Sequence, residues 1–386
     1  MLSPNDYLCL TDSCFLKHLE ELYAYNSSTD ELYEVNQEAF EFLKLCDGSH
    51  RVGKLNFDKK FVTWCLKEGI LTTAQKRRKR KFVVEAAPVP SLRYLELQIT
   101  ARCNLKCRHC YLGEPALIDL PQKTIVHVLE EFQKMQGLRL LLSGGEPLLH
   151  PDFWRINQVL PGFGFRSVLL TNGTLIDQAI AEKLNVPEVQ VSLDGVGPSH
   201  DSIRGKGSYA KSLSALRHLR RAGKQISVAT MVHAKNLDDF PRLASLLRRR
   251  GIKEWNVDVP CVSGRLAEHK ELQVDHQQAA PLLKYGFGGG LYSSSGDFAC
   301  GAHLCTILPN GNVAKCGLFA DEPVGHIDEG LRTCWERMNH IKLEQLECQC
   351  DYLKECRGGC RYRASLSGSL YSRDPVQCCF REVMSS

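Results

Sequence analysis

The sequence has no apolar run approaching the ~20 residues that a membrane-spanning helix needs, so no membrane partner is expected. It also lacks a strong charge of either sign. There are 49 Lys and Arg against 44 Asp and Glu, a formal net charge of +5. So mild a bias gives no electrostatic footprint for nucleic acid. Residues 1–6 lack the basic-then-apolar start of an export signal, and a cytoplasmic location is expected. No repeat at a fixed period occurs, and neither a Ser–His–Asp triad nor a convincing pair of catalytic carboxylates is found. The 386 residues are 43% hydrophobic and 24% charged, which excludes a disordered or fibrous chain and suits two to three packed domains at ~150 residues each.

Cysteine is abundant instead. There are 18, and they cluster: three fall within Cys103–Cys110, ten lie beyond residue 299, and only Cys261 lies between Cys110 and Cys300. Without an export signal, and with a chain long enough for a real core, clustered thiols point to metal or redox chemistry rather than to disulfides.

Residues 7–74 read as a small unit. Glu21–Tyr25 and Glu31–Val35 flank a polar turn, as in a hairpin. Asn36 is placed to cap a helix carrying Phe40, Phe42, Leu43 and Cys46, which Asp47-Gly48-Ser49 ends. A second helix carries Phe61, Trp64, Cys65 and Leu66 and stops at Gly69. A hairpin with helices in so short a span predicts a winged-helix-like α+β domain over residues 1–75. Basic residues Lys76–Lys81 then suggest a solvated linker over 76–91, since the flanking segments are not basic.

Residues 92–260 alternate strand and helix, within a domain expected over 92–285. Strand-like runs are Tyr94–Ile99, Leu138–Leu142, Ser167–Thr171, Val189–Leu193, Ile226–Val232 and Glu254–Val259. Helical spacing joins Tyr209, Leu213, Leu216 and Leu219, and again Phe240, Leu243, Leu246 and Leu247. The alternation predicts an α/β fold with parallel strands, a partial (β/α)6 barrel whose site lies at the strand C-termini. A glycine-rich stretch, Gly286–Gly290, precedes a cysteine-dense domain over 286–386.

Directly after the first barrel strand comes Cys103-x3-Cys107-x2-Cys110. Three thiolates on one loop suit three corners of an iron–sulfur cube, leaving one iron without a protein ligand. Zinc held by the three thiolates and His109 is the rival reading. The second strand ends in Ser143-Gly144-Gly145-Glu146-Pro147, where glycines allow close backbone approach to a ligand.

Together these two motifs resemble the radical S-adenosylmethionine (SAM) superfamily. The resemblance implies that Cys103, Cys107 and Cys110 hold a 4Fe–4S cluster completed by the amine and carboxylate of SAM. It implies that Gly144, Gly145 and Glu146 form the amine-binding segment, and that Asn172, Ser192 and Asp194 line the cofactor at the ends of strands three and four. Arg204 would pair with its carboxylate, a role that suits a forked guanidinium, and His109 would pack near the adenine. The implied activity is that of an oxidoreductase generating a 5′-deoxyadenosyl radical. An electron donor such as ferredoxin or flavodoxin is expected as a partner.

The tail reads Cys300-x4-Cys305-x10-Cys316, with Gly311 between, then Cys348-x-Cys350-x5-Cys356-x3-Cys360, then Cys378-Cys379. It resembles the SPASM extension, which implies two auxiliary iron–sulfur clusters: one on Cys300, Cys305, Cys316 and Cys360, the other on Cys348, Cys350, Cys356 and Cys378, with Cys379 an alternative to Cys378. The family spacing is C-x2-C where this chain has C-x-C. Structural zinc is the competing reading. Cys9, Cys14, Cys46, Cys65, Cys261 and Cys334 are expected to be buried apolar side chains. Cys261 is a weak candidate for hydrogen-atom donor if the reaction is an epimerisation.

The N-terminal unit resembles the RiPP recognition element, a module similar to the pyrroloquinoline-quinone peptide chaperone. It implies a precursor peptide whose leader adds a strand to a sheet edge. The activity expected is therefore peptide maturation, closing a thioether or carbon–carbon cross-link. The alternatives are a tetrapyrrole (haem-pathway) side-chain-modifying enzyme and a zinc-stabilised DNA-binding regulator.

Overall fold

The computed structural model describes residues 3–82, 84–288 and 296–385. The N-terminal unit runs β1 (Tyr7–Leu10), β2 (Cys14–His18), β3 (Leu22–Asn26), β4 (Glu31–Glu34), α1 (Gln37–Leu45), β5 (Asp47–Arg51), α2 (Lys59–Lys67) and β6 (Leu71–Ala74). Two three-stranded sheets result, ordered β5-β1-β6 and β2-β3-β4. The Asn36 side chain caps α1 by accepting from Ala39 N–H at 2.8 Å, and Asp58 caps α2 by accepting from Lys60 N–H at 2.7 Å. Phe40 and Leu43 of α1 and Val62 and Cys65 of α2 share a core with Leu8, Leu10 and Leu16.

One expectation for this unit changes. Asp47-Gly48-Ser49 does not merely end a helix; it opens β5. Gly48 adopts φ +79°, and a side chain there would strike the Arg78 carbonyl oxygen at 2.1 Å. The reason lies in the basic segment, whose backbone runs alongside the unit while Lys76, Arg77, Arg78, Lys79 and Lys81 stay exposed and Arg80 is half-buried. Arg78 N–H donates to the Gly48 carbonyl at 3.1 Å, Arg80 N–H donates to the Asp47 carbonyl at 2.8 Å, and the Arg80 guanidinium lies 4.6 Å from the Phe15 ring centre.

The barrel follows as β7 (Tyr94–Thr100), α3 (Gln122–Lys134), β8 (Arg139–Gly144), α4 (Phe153–Val159), β9 (Arg166–Thr171), α5 (Gln178–Lys183), β10 (Glu188–Ser192), α6 (Pro198–Arg204), α7 (Ser208–Arg221), β11 (Gln225–Met231), α8 (Phe240–Arg249) and β12 (Glu254–Asp258). All six strands pair in parallel with their chain neighbours. Side-chain alternation along β7 sets the layers. Leu95, Leu97 and Ile99 join Ile125, Val128, Leu129 and Phe132 of α3 in the main core, each worth about 1.5–3 kcal/mol on burial. Glu96, Gln98 and Thr100 point the other way, into the lumen.

The tail contributes strands that the sequence pattern did not announce. β13 (Leu304–Ile307) pairs in parallel with β7, and β14 (Asn312–Ala314) and β15 (Gly325–His326) continue antiparallel, making nine strands in order β12-β11-β10-β9-β8-β7-β13-β14-β15. On the far flank Arg363 donates to Asp258 Oδ1 and to the Val259 carbonyl, both at 2.8 Å, at the C-terminal end of β12. The tail thus grips both flanks of the six-strand array. Of the glycine-rich stretch, Phe287 bridges to Trp255; Gly289 and Gly290 lie outside the described residues.

The N-terminal unit seats against the N-terminal ends of the barrel strands, opposite the loops that follow their C-termini. Arg166, the first residue of β9, donates to the carbonyls of Ser27 and Ser28 at 3.0 Å each and pairs with Glu188 at 2.9 Å. Tyr25 Oη donates to the Leu138 carbonyl at 3.0 Å. Lys17, 3% exposed, donates to the Gly137 carbonyl at 2.8 Å.

Burial pushes Lys17 down to about 7 from 10.5. Between those values the unfolded chain holds a proton that the folded chain has lost, so stability rises with pH across that window. Relative to Lys17→Met, the wild-type chain is expected to gain on the order of 2–4 kcal/mol of apparent stability between pH 7 and pH 10. Urea unfolding of both at the two pH values checks this; a constant difference would contradict it.

Candidate active site

The expected residues come from five chain segments that meet at the strand C-termini. The thiol loop leaves β7 through Ala101 and Arg102. Gly145 N–H donates to the Thr100 carbonyl at 2.8 Å and Glu146 N–H to the Arg102 carbonyl at 2.7 Å, so the end of β8 is laced to the root of that loop. The fit demands glycine: a Cβ on Gly144 would sit 2.3 Å from the Thr100 carbonyl oxygen, and one on Gly145 would sit 2.4 Å from that of Arg102.

Cys107 is buried, and Cys103 and Cys110 are half-buried. The three thiols interact electrostatically with one another. Burial pushes Cys103 up to about 11 and raises Cys107 as well, although the Arg204 cation offsets part of the effect at Cys107. Binding a metal there must expel these protons. Among the described residues no three His, Cys, Asp or Glu side chains converge at the distance one metal ion needs. In an iron–sulfur cluster each thiolate binds its own iron, so three thiols on one loop offer three corners of such a group.

Asn172 braces the loop from the end of β9. Its Nδ2 donates to Asn104 Oδ1 at 3.0 Å, its Oδ1 accepts from Thr174 N–H at 2.8 Å, and Asn104 Nδ2 donates to Thr174 Oγ1 at 2.8 Å. Glu146 is fully buried and its carboxylate is occupied. It accepts from Thr171 Oγ1 at 2.9 Å, from Asn172 N–H at 3.0 Å and from Leu148 N–H at 3.3 Å. Burial pushes it up to about 7, against the pull of those donors. Glu146 therefore ties the ends of β8 and β9 together.

Beneath the loop lies a buried charge frame. Asp194, wholly buried, accepts from Arg204 Nε and from Met231 N–H at 2.8 Å, with His109 Nε2 at 3.5 Å. Burial alone would raise its carboxyl, but Arg204, then His109 and His200, hold it well below the usual carboxylate range. Arg204 also reaches Cys107 Sγ at 3.9 Å and His109 Nε2 at 3.5 Å. It stays charged, because Asp194 and Cys107 outweigh its own burial. Burial pushes His109 down to about 4, so the imidazole is neutral at pH 7. His109 Nδ1 is buried with no hydrogen-bond partner among the described residues, a polar atom awaiting a ligand. Ser192 is half-buried on β10, beside Ala229.

The sequence reading missed the lumen. Glu96 accepts from Ser143 Oγ at 2.8 Å, from Thr306 Oγ1 at 2.9 Å and from Tyr111 Oη at 3.2 Å, and Gln98 Oε1 is buried without a partner among the described residues. The signal was present in Leu95-Glu96-Leu97-Gln98-Ile99-Thr100, where polar residues alternate with apolar ones in an interior strand. Asn104 and His200 carried no comparable signal.

In the tail, Cys348 Sγ and Cys350 Sγ stand 3.8 Å apart, and Cys348 interacts with Cys378 and Cys356. Cys378 rather than Cys379 faces this group; Cys379 senses Glu382 and Asp275 instead. The C-x-C spacing thus does not separate its two thiols. Cys300 and Cys316 both interact with Cys360. Cys305 does not belong with them: it is fully buried in the main core, and its thiol neighbour is Cys334.

The profile of the Radical SAM superfamily matches residues 97–247. The AdoMet-dependent heme synthase of Methanosarcina barkeri is 27% identical over 343 residues, spanning 75% of this chain and 97% of that protein. Mycofactocin maturase MftC of Mycobacterium ulcerans is 29% identical over 307 residues, 69% of this chain and 82% of that protein. Streptococcus suis SuiB bound to S-adenosylmethionine shares the fold with a TM-score of 0.69 at 16% identity, over 95% of this chain and 99% of that one. The same protein bound to its precursor peptide SuiA gives a TM-score of 0.68 at 14% identity, over 95% of this chain and 98% of that one. Among the described residues no helix is long and apolar enough to cross a membrane. The matched family implies a 4Fe–4S cluster and SAM, for which the thiol loop and its charge frame are suited, and residues 97–247 of this chain form a Radical SAM domain.

Proposed function

We propose that this protein matures a ribosomally made precursor peptide by radical chemistry. The observation that carries the reading is the N-terminal unit. The SuiB-like fold extends over 95% of the chain, the N-terminal unit included. A tetrapyrrole enzyme has no use for a sheet edge. Here β4 is an edge strand, and beside it Tyr33 meets the Trp64 ring at 5.2 Å, with Phe61 6.1 Å from Trp64. Trp64 is 37% exposed, unusual for so large a ring. A leader adding a strand to β4 would gain main-chain hydrogen bonds there and bury the indole. The surface next to Trp64 also carries Lys59, Lys60 and Lys67, which favour an acidic segment in that leader.

In this reading Cys103, Cys107 and Cys110 hold the cluster and leave one iron for SAM. Once bound there and reduced by an external donor such as ferredoxin or flavodoxin, the cluster and SAM would supply 5′-deoxyadenosyl radical chemistry for hydrogen-atom removal from the peptide. The chain supplies position. Asn172 and Asn104 keep the thiol loop on β9. Glu146 fastens β8 to β9 beneath it. Asp194 orients Arg204, whose cation offsets thiolate charge at Cys107 and leaves guanidinium edges for a carboxylate. His109 stays neutral and offers Nδ1. The two tail thiol groups would hold auxiliary clusters. The leader-binding edge and the thiol loop stand at opposite ends of the barrel strands, so the docked leader acts as a tether, raising the effective concentration of a core peptide that reaches around to the barrel mouth. The product class is a thioether or carbon–carbon cross-link. The runner-up is tetrapyrrole side-chain modification, favoured by the heme synthase covering 97% of its own length.

Two outcomes test this. Replacing Cys103, Cys107 and Cys110 together by Ala should abolish 5′-deoxyadenosine formation while part of the iron remains; nucleoside release from the triple variant would mean that the reactive centre lies elsewhere. Trp64→Ala should weaken binding of a fluorescent precursor peptide encoded beside the gene by about tenfold or more, as a buried aromatic anchor does, while SAM cleavage continues. Unchanged affinity, together with modification of a porphyrin substrate, would favour the runner-up.

A further inference from the structure

Four thiols from four chain segments gather where the tail meets the end of β12, and they are not the four that the motif spacing selects. The inference rests on the reading of the tail as a holder of auxiliary clusters. Strand register excludes Cys305. β13 pairs with β7 so that Cys305 stands opposite Leu95 and Thr306 opposite Glu96. Thr306 Oγ1 donates to Glu96 Oε2 at 2.9 Å in the lumen, so the neighbouring side chain points outward. There Cys305 is 0% exposed among core side chains. Turning it inward requires a one-residue slip that would drive Thr306 into the core and Ile307 into the lumen.

Cys261 occupies the place that Cys305 does not. It follows β12, is 9% exposed and lies close enough to Cys360 for the two thiols to interact. That contact is built in. Cys360 N–H donates to Asp374 Oδ2 at 2.7 Å, Arg363 donates to the same carboxylate at 3.2 Å, and Arg363 also donates to the Val259 carbonyl at 2.8 Å, two residues before Cys261. Cys300 and Cys316 interact with Cys360 from the other side, and the Lys315 ammonium lies close enough to feel Cys316, Cys300 and Cys360 together. The loop bearing Cys261 also touches the radical site: Arg265 N–H donates to the Cys110 carbonyl at 3.0 Å, and the Tyr111 ring packs on Gly317, next to Cys316.

We propose that Cys261, and not Cys305, is the fourth ligand of the auxiliary cluster held by Cys300, Cys316 and Cys360. Each thiol that binds iron loses its proton, and the cluster becomes a covalent staple between the end of β12 and the tail. With four protein sulfurs it has no open iron for a substrate, and Cys261 is not free to donate a hydrogen atom.

The test uses the full chain carrying the Cys103, Cys107 and Cys110 to Ala changes, reconstituted anaerobically with ferrous iron and sulfide, so that only tail clusters report. Iron and sulfide content and the Mössbauer and electron paramagnetic resonance spectra are compared with and without Cys261→Ala, Cys261→Ser and Cys305→Val, the last an apolar replacement suited to a buried strand position. Cys261→Ala should lose up to half of the tail iron or change the spectrum of one cluster, and Cys261→Ser should shift that same spectrum. Cys305→Val should match the parent. Spectra unaffected by both Cys261 changes, or loss of that cluster in Cys305→Val, would overturn the assignment while leaving the auxiliary-cluster reading intact. A parent without tail iron would overturn both.

Discussion

The pleat of one strand, β7, decides where everything else can be. Successive side chains leave opposite faces of a strand, so Leu95, Leu97 and Ile99 are committed to the helical layer and Glu96, Gln98 and Thr100 to the lumen. The apolar half fastens α3 and supplies the centre of the core. The polar half builds a hydrogen-bonded floor with Ser143, Tyr111 and Thr306. The strand then delivers the chain, through Thr100, to the thiol loop. A slip of one residue would exchange core for floor and misplace the loop, which is why the register of both neighbours, β8 and β13, is pinned by the same side chains.

Around that strand the molecule spends its buried charges on position. Asp194 and Arg204 form an ion pair away from water, a costly arrangement unless each group is fully satisfied. Here Met231, His109 and Cys107 take up what the pair leaves over. Glu146 and Asn172 do the same with neutral donors. The tail applies a similar device on the other flank, where Arg363 joins Asp374, Asp258 and the Val259 carbonyl. These contacts bind the tail to both the first and the last barrel strand, so the thiol groups hang on a rigid frame rather than on a flexible appendage.

Much of this was legible in the sequence, for identifiable reasons. Barrel strands announce themselves through buried apolar runs between helical patterns, and all six lie within a residue or two of where the pattern puts them. The thiol loop is legible because three cysteines and a following Gly-Gly-Glu are chemically rare. β13 was not legible: four residues, Leu304–Ile307, give no periodicity of their own and become a strand only by pairing with β7. Within the basic segment the pattern did not single out Arg80, which stacks on Phe15 and Phe82 while the other five basic residues stay exposed. Cys305 was assigned through the likeness of the tail to the SPASM extension, and Cys261 was expected to be a buried side chain, as it is. Spacing carries no record of which face of a strand a side chain takes, or of which distant loop folds back beside it.

The central claim is that the thiol loop holds a cluster with one iron free for SAM. Electron–nuclear double resonance on the reduced, reconstituted protein with SAM labelled by nitrogen-15 at the methionine amine measures this directly. The account predicts a hyperfine coupling between the cluster and the labelled nitrogen, lost when Cys103, Cys107 and Cys110 are replaced. A reduced cluster with no such coupling in the presence of saturating SAM would contradict it.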